Sequence, residues 1–595
     1  MQAAWWRLLP RDDLVAPSLR EIAAELERPS TRSELQALAL AEDYPLAVVQ
    51  RLRELGLQEL FTGQALSTSY SLCGLNEVCA RADGSLGITV GVNSLALLPV
   101  WIGGSEALRH HVAERVREGA RASMLLTELE HGSNLARNAA RAERGQRGPE
   151  GEFVPLPAGA EAGAAELYRL SGEKHLINGA THHELLITLA RTQAADPDRS
   201  GPLAALADFS LLLVERDPSV EALPRWRTLP GQGADIAGVR FHGTLVPSER
   251  LIGREGEGLS LTQRTLIASR GGIGALAAGT AARAQELALE HARTRDVYGG
   301  PIVSLGAISG HLLRQELAAL ASAALSVRTA ARVNAQGLDA ASCTAAAKIA
   351  CCVLAEEAVT EGRRVLAGRA LLREHAYERL VRDVTLFPVF DGTTHLMLEL
   401  LASRLSWAVD ELDRPPADPQ AILEQWRRIY AQAPRSLAQV LRQRPRPTAT
   451  SLLGSAQALS LIGGVDARPL QGLTRALLEV VRALVGAGVW KQDQALRFQA
   501  AMSLALLEAL TATLELADPE RRIALGLDPQ RLDAGDQRRA RLTLAWLGGR
   551  VLGRVRELAL SCDLLDPVRE LNELEVELRA GQSDLAREQR AVYSS

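Results

Sequence analysis

No two of the six cysteines stand as CxxC, and no cluster of histidines accompanies Cys73, Cys79, Cys343, Cys351, Cys352 or Cys562. That excludes the common zinc-site spacings, and no metal site is read. The thiols are expected to be free and buried in a reducing compartment. An excess of positive charge is also missing. The 67 Lys and Arg stand against 71 Asp and Glu, a net charge of −4, which argues against a general nucleic-acid binder. Lysine itself is scarce, with Lys174, Lys348 and Lys491 the exceptions among arginines, and this reads as compositional bias. The opening MQAAWWRLLPRDDL has no apolar run of signal-peptide length. A run of about 18 uncharged apolar residues is not read anywhere, and Leu259–Ala282 is interrupted by Arg264 and Arg270. The expectation is a cytoplasmic protein with no transmembrane segment. No GxGxxG follows a strand-like run, and no GxxxxGK[ST], HExxH or GxSxG has a fitting context.

What is present is a long globular chain. Its 595 residues exceed one core, and about 150 residues per domain gives roughly four units. Residues 1–120 read as helical, with apolar residues at three- and four-residue spacing around Ala37–Leu57 and Leu72–Ala82. Residues 121–250 change to short β-rich runs, YRLSGEKHLI, LLITLAR, FSLLLVERD and VRFHGTLV, punctuated by Gly, Pro and Asp. Gly145–Ala165 and Ala194–Pro202 read as surface loops. Over 251–412 the helical period returns, with long helices expected at Leu261–Arg293, Ala307–Ala335 and Ala340–Ala367. Pro-rich breaks at Asp413–Gln420 and Arg442–Thr448 introduce a further helical region over 413–595, where Leu496, Ala500, Leu507, Leu510 and Leu514 share one face. Strands do not alternate with helices, so the fold class is mainly α with a middle β domain, not a doubly wound parallel sheet.

Four segments carry candidate chemistry. Thr127–Asn134 (TELEHGSN) offers hydroxyls, amides and a glycine for a polar ligand loop, or simply a capped turn. Gly172–Gly179 (GEKHLING) reads as a strand ending in Asn-Gly, and by itself as a hairpin. Arg293–Gly299 (RTRDVYG) closes the long helix, where arginine complements the dipole or meets a diphosphate. Phe390-Asp391-Gly392-Thr393 sets a carboxylate before a glycine turn among apolar neighbours, either a plain Asp-Gly turn or a base of raised pKa.

In this order and spacing the four segments resemble the acyl-CoA dehydrogenase family over about residues 60–410. The family's TE-PGAG-SD motif is similar to Thr127–Asn134, and its G-x-K-x-W-I-T-N strand to Gly172–Gly179. Its D-T/S-R…F-x-x-V-x-V-P segment is similar to Asp235–Pro247, and its R-x-x-F-G motif to Arg295–Gly299. Ala307-Ile308-Ser309, Lys348, Arg382-Asp383 and Phe390–Thr393 then fall without a gap where the family has A-I-S, K, RD and Y-E-G-T.

The resemblance implies N-terminal helices, a β-barrel-like middle domain, a four-helix bundle and FAD as cofactor. It implies cofactor contacts from Thr127, Asn178, Arg295, Gly368 and Thr393, substrate contacts from Ser133 and Arg270, and Asp391 as the base. An acyl-CoA substrate and an electron-transfer flavoprotein as acceptor follow. A degenerate, non-catalytic scaffold and a flavin oxidase or monooxygenase on the same fold are the alternatives. Departures are visible: Leu176 for Trp, Asn178 for Thr, Arg364–Ala370 for Q-x-L-G-G-N-G, Asp391 for Glu, and Ser269 where some relatives place the base. The C-terminal helices resemble in placement the extension of the very-long-chain enzymes, which implies a homodimer.

Overall fold

The computed structural model describes residues 14–63, 67–192 (save 158, 159 and 162), 207–414, 435–443, 467–517 and 534–561, with scattered positions between 414 and 435, at 522 and after 561. The N-terminal helices are α1 (Ser18–Glu27), α2 (Pro29–Ala41), α3 (Leu46–Glu54), α4 (Leu57–Phe61), α5 (Ser69–Ala82), α6 (Gly84–Gly103) and α7 (Glu106–Glu118). The apolar periodicity over Ala37–Leu57 is not one helix. Glu42 turns left-handed (φ 58) and Pro45 precedes α3, which ends α2 and starts a new axis. Helices α5 and α6 meet at Asp83, whose carboxylate caps α6 by accepting from Leu86 N at 2.9 Å.

Helix α6 corrects one expectation. Its 20 residues carry no charge and are long and apolar enough to cross a membrane, as is the helical stretch Gly306–Leu371. In each, 72% of the apolar window is buried inside the chain. α6 is apolar because it packs on α5, on the bundle and on the sheet, as a core helix does.

The sheet comprises β1 (Ala122–Leu125), β2 (Arg141–Arg147), β3 (Phe153–Pro155), β4 (Leu167–Asn178), β5 (Leu185–Arg191), β6 (Phe209–Glu215), β7 (Val220–Ala222), β8 (Ile236–Pro247) and β9 (Leu251–Ile252). Its order is β7-β8-β4-β2-β5-β6-β9, with β1 parallel to β5 and β3 antiparallel to β2. Among the described residues no pairing joins β7 to β9, so the barrel-like closure expected from the sequence is not made by hydrogen bonds. Within Gly145–Ala165, read as loop, β2 and β3 pair at Gly145↔Pro155. All of Ala194–Pro202 and most of the second Pro-rich break lie outside the described residues, as does part of the first.

The bundle consists of α8 (Gly258–Thr294), α9 (Gly306–Gln336), α10 (Ala341–Leu366) and α12 (Thr394–Ala408), with the short α11 (Ala376–Asp383) leading into α12. Alanine and glycine let α8 approach its neighbours closely: a Cβ on Gly274 would stand 3.4 Å from Ala347. Beyond lie α13 (Leu437–Arg442), α14 (Arg468–Gly486), α15 (Gln494–Leu516) and α16 (Ala534–Leu560). Leu496, Ala500, Leu507, Leu510 and Leu514 are all buried on α15. The extension does not keep a core to itself. One continuous buried cluster joins the bundle helices to α14, α15 and α16.

Charge fixes the register of that packing. Arg328 on α9 is buried, hydrogen-bonded to Glu508 and ion-paired at 3.2 Å with Glu515 on α15. Arg539 on α16 binds Glu316 at 2.8 Å and Arg550 binds Glu357. Removing one member of a buried network leaves the others uncompensated, at about 3–5 kcal/mol. Arg328→Met should therefore lower stability by about that amount, read as a shift of the denaturant midpoint. An unchanged midpoint would mean that α15 is held by its apolar face alone.

Candidate active site

The site is built from a turn between two helices. After α11 the chain runs Phe390-Asp391-Gly392 into Thr393, whose hydroxyl caps α12 by accepting from Leu396 N at 3.5 Å. Thr394 N donates to Pro388 O at 2.9 Å and closes the turn. Asp391 and Gly392 both have left-handed backbones, φ 56 and 87, which aspartate and glycine tolerate best. The conformation directs three successive carbonyls, of Phe390, Asp391 (3.1 Å) and Gly392, onto the Nζ of Lys348 on α10. An ammonium has three protons to donate, and these carbonyls take them.

The Asp391 side chain is left open. Its Oδ2 is buried and accepts no hydrogen bond. Burial pushes its pKa up, while the charges of Lys348 and then Arg270 pull against the rise. Arg270, on α8, has a buried Nε without a partner; burial lowers its pKa and the Asp391 charge opposes that. Lys348 is lowered by burial and supported by Asp391 in the same way. A carboxylate poised between two cations yet unbonded at one oxygen is a functional-site candidate. Ser269 and Phe390, each one residue before a charged group, line a narrow cavity between α5, α6 and α8.

A second group of candidates lies at the end of β4. Lys174, fully buried, donates to Glu128 Oε1 at 2.9 Å and to Leu126 O at 3.3 Å. Glu128 also accepts from Ala139 N (2.6 Å) and Ala140 N (3.0 Å), and His175 N donates to Thr127 O at 2.9 Å. Burial drives the Lys174 pKa down to about 8 against the attraction of Glu128. These bonds press the 127–134 loop onto β4, with Thr127 half-buried and Ser133 exposed.

Strand β4 then breaks register between Lys174 and Ile177, so Leu176 has φ 56 and is 53% exposed. Because β4 pairs with β8 and not with β5, the Asn-Gly step is no hairpin. Asn178 is not fully free for a ligand: its Nδ2 donates to Ala234 O, and only the buried Oδ1 is unpartnered. Ser123 holds the Asn178 carbonyl at 2.6 Å, and His183, its pKa driven to about 3 by burial, links Ser123 to Tyr44 at 2.8 Å each. Three residues before Ala234, Gly231 N donates to Asp383 on α11 at 2.8 Å, which connects this group to the Asp391 turn.

A third group stands at the far end of α8. Arg295 is the C-cap residue and its side chain is exposed, with no partner among the described residues. Gly368 is exposed, and a Cβ there would meet nothing in this chain. Arg364 is neutralised by Glu361, whereas Arg369 faces His291 and His375, whose pKa values fall first from burial and then from its charge. Arg270 and Arg295 are 25 residues apart on one helix, roughly 37 Å at 1.5 Å per residue.

The acyl-CoA dehydrogenase C-terminal domain family matches residues 256–406, which hold Arg270, Arg295, Lys348, Gly368, Asp391 and Thr393. A crystal structure of an acyl-CoA dehydrogenase complexed with FAD from Bacillus anthracis superposes with a TM-score of 0.71 at 17% identity, covering 99% of this chain and 98% of that one. The fold is that of the acyl-CoA dehydrogenases. The match to the Bacillus anthracis enzyme takes in the extension as well as the three groups. The mitochondrial very long-chain specific acyl-CoA dehydrogenase of Mus musculus is 26% identical over 392 residues, 65% of this chain and 56% of that protein, so the chain spans about half the length of that relative. The prolyl acyl carrier protein oxidase AnaB shares the fold at a TM-score of 0.55 and 20% identity, over 65% of this chain and 97% of that one.

Sequence reading placed the acyl-CoA dehydrogenase motifs but passed over Glu128 and Lys174 as working residues. The available signal was rarity: two of the three lysines, Lys174 and Lys348, are buried beside the candidate site, while Lys491 is exposed. Lys174→Met should leave Glu128 buried beside two backbone amides but without its cation, costing about 3–5 kcal/mol. It should loosen the 127–134 loop, read as faster amide exchange at Ala139 and Ala140; unchanged exchange there would contradict the anchoring role.

Proposed function

We propose that this chain is a FAD-dependent acyl-CoA dehydrogenase in which Asp391 removes the α-proton of an acyl thioester. The observation that carries the reading is the unpartnered buried Oδ2 of Asp391, held on a left-handed turn beside an apolar cavity. That oxygen has a free lone pair for the proton, and Arg270 and Lys348 favour the ionised form it needs. The Asp391 backbone N–H donates to no group among the described residues, which leaves it for the thioester carbonyl as an oxyanion-type donor. Compared with the usual glutamate, aspartate is shorter by ~1.5 Å, one carbon–carbon bond.

The residues fit FAD. Thr127, the Oδ1 of Asn178 and the projecting Leu176 suit the flavin face, Thr393 lies at the base turn, and Arg295 and Arg369 have no anion to neutralise them among the described residues. When bound, FAD supplies the acceptor for the β-hydrogen, and an electron-transfer flavoprotein drains it. Ser133, exposed on the 127–134 loop, is assigned to the thioester substrate together with Arg270.

A homodimer completes the site. Arg295 stands too far along α8 from Arg270 to touch the FAD beside Asp391 of the same chain, and Arg369 faces His291 near that same end of α8, so this group serves a partner copy. The extension covers α9, α10 and α12 and leaves no bundle face there for a second dimer. The second reading is an oxidase. Leu176, small and exposed where the family has tryptophan, shields the flavin face less, and the fold is shared with an acyl carrier protein oxidase.

Purified protein should be yellow with about one FAD per chain, and colourless protein that takes up no added FAD would remove both enzyme readings. Asp391→Asn should keep FAD and abolish bleaching by acyl-CoA, and Asp391→Glu should keep or raise turnover. Because the Asp391 pKa is raised, activity should fall with decreasing pH at a higher pH than an ordinary carboxylate would give. Arg270→Gln should move that limb higher still, since a charge favouring the ionised form is lost. Light scattering should give two chains; a tetramer would contradict the capping role of the extension. Rapid reoxidation of the reduced flavin by oxygen would favour the oxidase.

A further inference from the structure

The cavity beside Asp391 holds one residue that the proposed dehydrogenation does not use. Its walls are mainly apolar, with Leu72, Ile88, Leu95, Ile273 and Leu276 among them. Asn76 of α5 also lines it, and is 4% exposed. Neither end of the Asn76 amide is hydrogen-bonded within the described chain, and its Oδ1 is wholly buried. Two helix glycines make room for it. A Cβ on Gly91 of α6 would fall 2.8 Å from Oδ1, and one on Gly272 of α8 would fall 2.5 Å from Nδ2.

A buried amide without partners is destabilising, and glycine inside a helix is costly relative to alanine. A site serving only to pack α5, α6 and α8 would not need an amide at this position. The same wall contains Ser269, next to Arg270, and Phe390, next to Asp391. The cavity therefore has the chain neighbours of Arg270 and Asp391 on the same wall as the Asn76 amide, and none of its lining residues is charged.

We propose that the acyl tail accepted here carries a neutral hydrogen-bonding group, a hydroxyl, oxo or amide function, that pairs with Asn76. The inference rests on the acyl-thioester reading above and deepens it. The uncharged wall excludes a carboxylate or ammonium at that point of the tail, because neither finds a counterion there. An amide both donates and accepts, so it pairs with any of the three neutral groups. A plain alkyl tail fills the cavity and leaves the amide unpaired, which is how a polar site rejects an apolar analogue.

The test compares hexanoyl-CoA with its γ-, δ- and ε-hydroxy forms on the FAD-loaded protein. Binding is read from the shift of the flavin visible band and turnover from kcat/KM. One hydroxy isomer should be preferred over hexanoyl-CoA by about tenfold or more, the discrimination expected of one buried hydrogen bond. Asn76→Leu should abolish or invert that preference. Its melting temperature without ligand should be unchanged or higher, because the variant loses no internal hydrogen bond. A lower melting temperature would show that the amide is structural and overturn the assignment. Hexanoyl-CoA binding as well as every hydroxy form would overturn it too, while leaving the acyl-thioester reading intact. No response to any of the four overturns both. Should Asn76→Leu fail to fold, the wild-type isomer series decides alone.

Discussion

The turn that presents Asp391 depends on one buried ammonium. Lys348 is 1% exposed, and a lysine charge taken out of water is costly unless all its protons are bonded. Three consecutive carbonyls meet that demand, and turning three carbonyls to one side forces left-handed backbone at Asp391 and Gly392. The aspartate side chain is then held away from Lys348's hydrogen bonds, buried but unbonded at Oδ2. A contact ion pair with Lys348 would have neutralised it as a base. Spending the ammonium on backbone leaves the carboxylate its lone pair.

The same device recurs at the sheet. Lys174 ties Glu128 and the Leu126 carbonyl to β4, and Glu128 in turn binds two backbone amides. In both places a compact ammonium with three rotatable donors gathers main-chain groups that arginine's rigid planar fork would not reach together. That is a physical reason for lysine to persist at these two positions in an arginine-rich chain. Arginine has the other task here. Arg328, Arg539 and Arg550 bridge the bundle to the extension through carboxylates, where a planar fork is suited.

Much of the architecture was legible because helical periodicity is a local property. The expected helices at Leu261–Arg293, Ala307–Ala335 and Ala340–Ala367 lie within a few residues of α8, α9 and α10. The strand runs YRLSGEKHLI and LLITLAR fall within β4 and β5. Periodicity failed where a single residue interrupts it, as at Glu42 and Pro45. It also failed for the uncharged α6, whose burial comes from neighbours distant in sequence. The relation of the extension to the bundle could not be read, because a Pro-rich break marks a chain direction and says nothing of which face the next helices cover.

By itself the sequence determined the order of helices, sheet and helices, and it placed a carboxylate, a glycine and a threonine together at 391–393, since these follow from neighbours along the chain. It also determined the spacing from Arg295 to Thr393. Only the tertiary structure decided what each group does with its hydrogen bonds. Asn178 commits an amide proton to Ala234, and among the described residues Arg364 is paired while Arg369 is not and Asn76 faces a cavity with nothing to bond. The partners in every case lie on other elements, and whether a polar group is satisfied or left open depends on all the atoms around it.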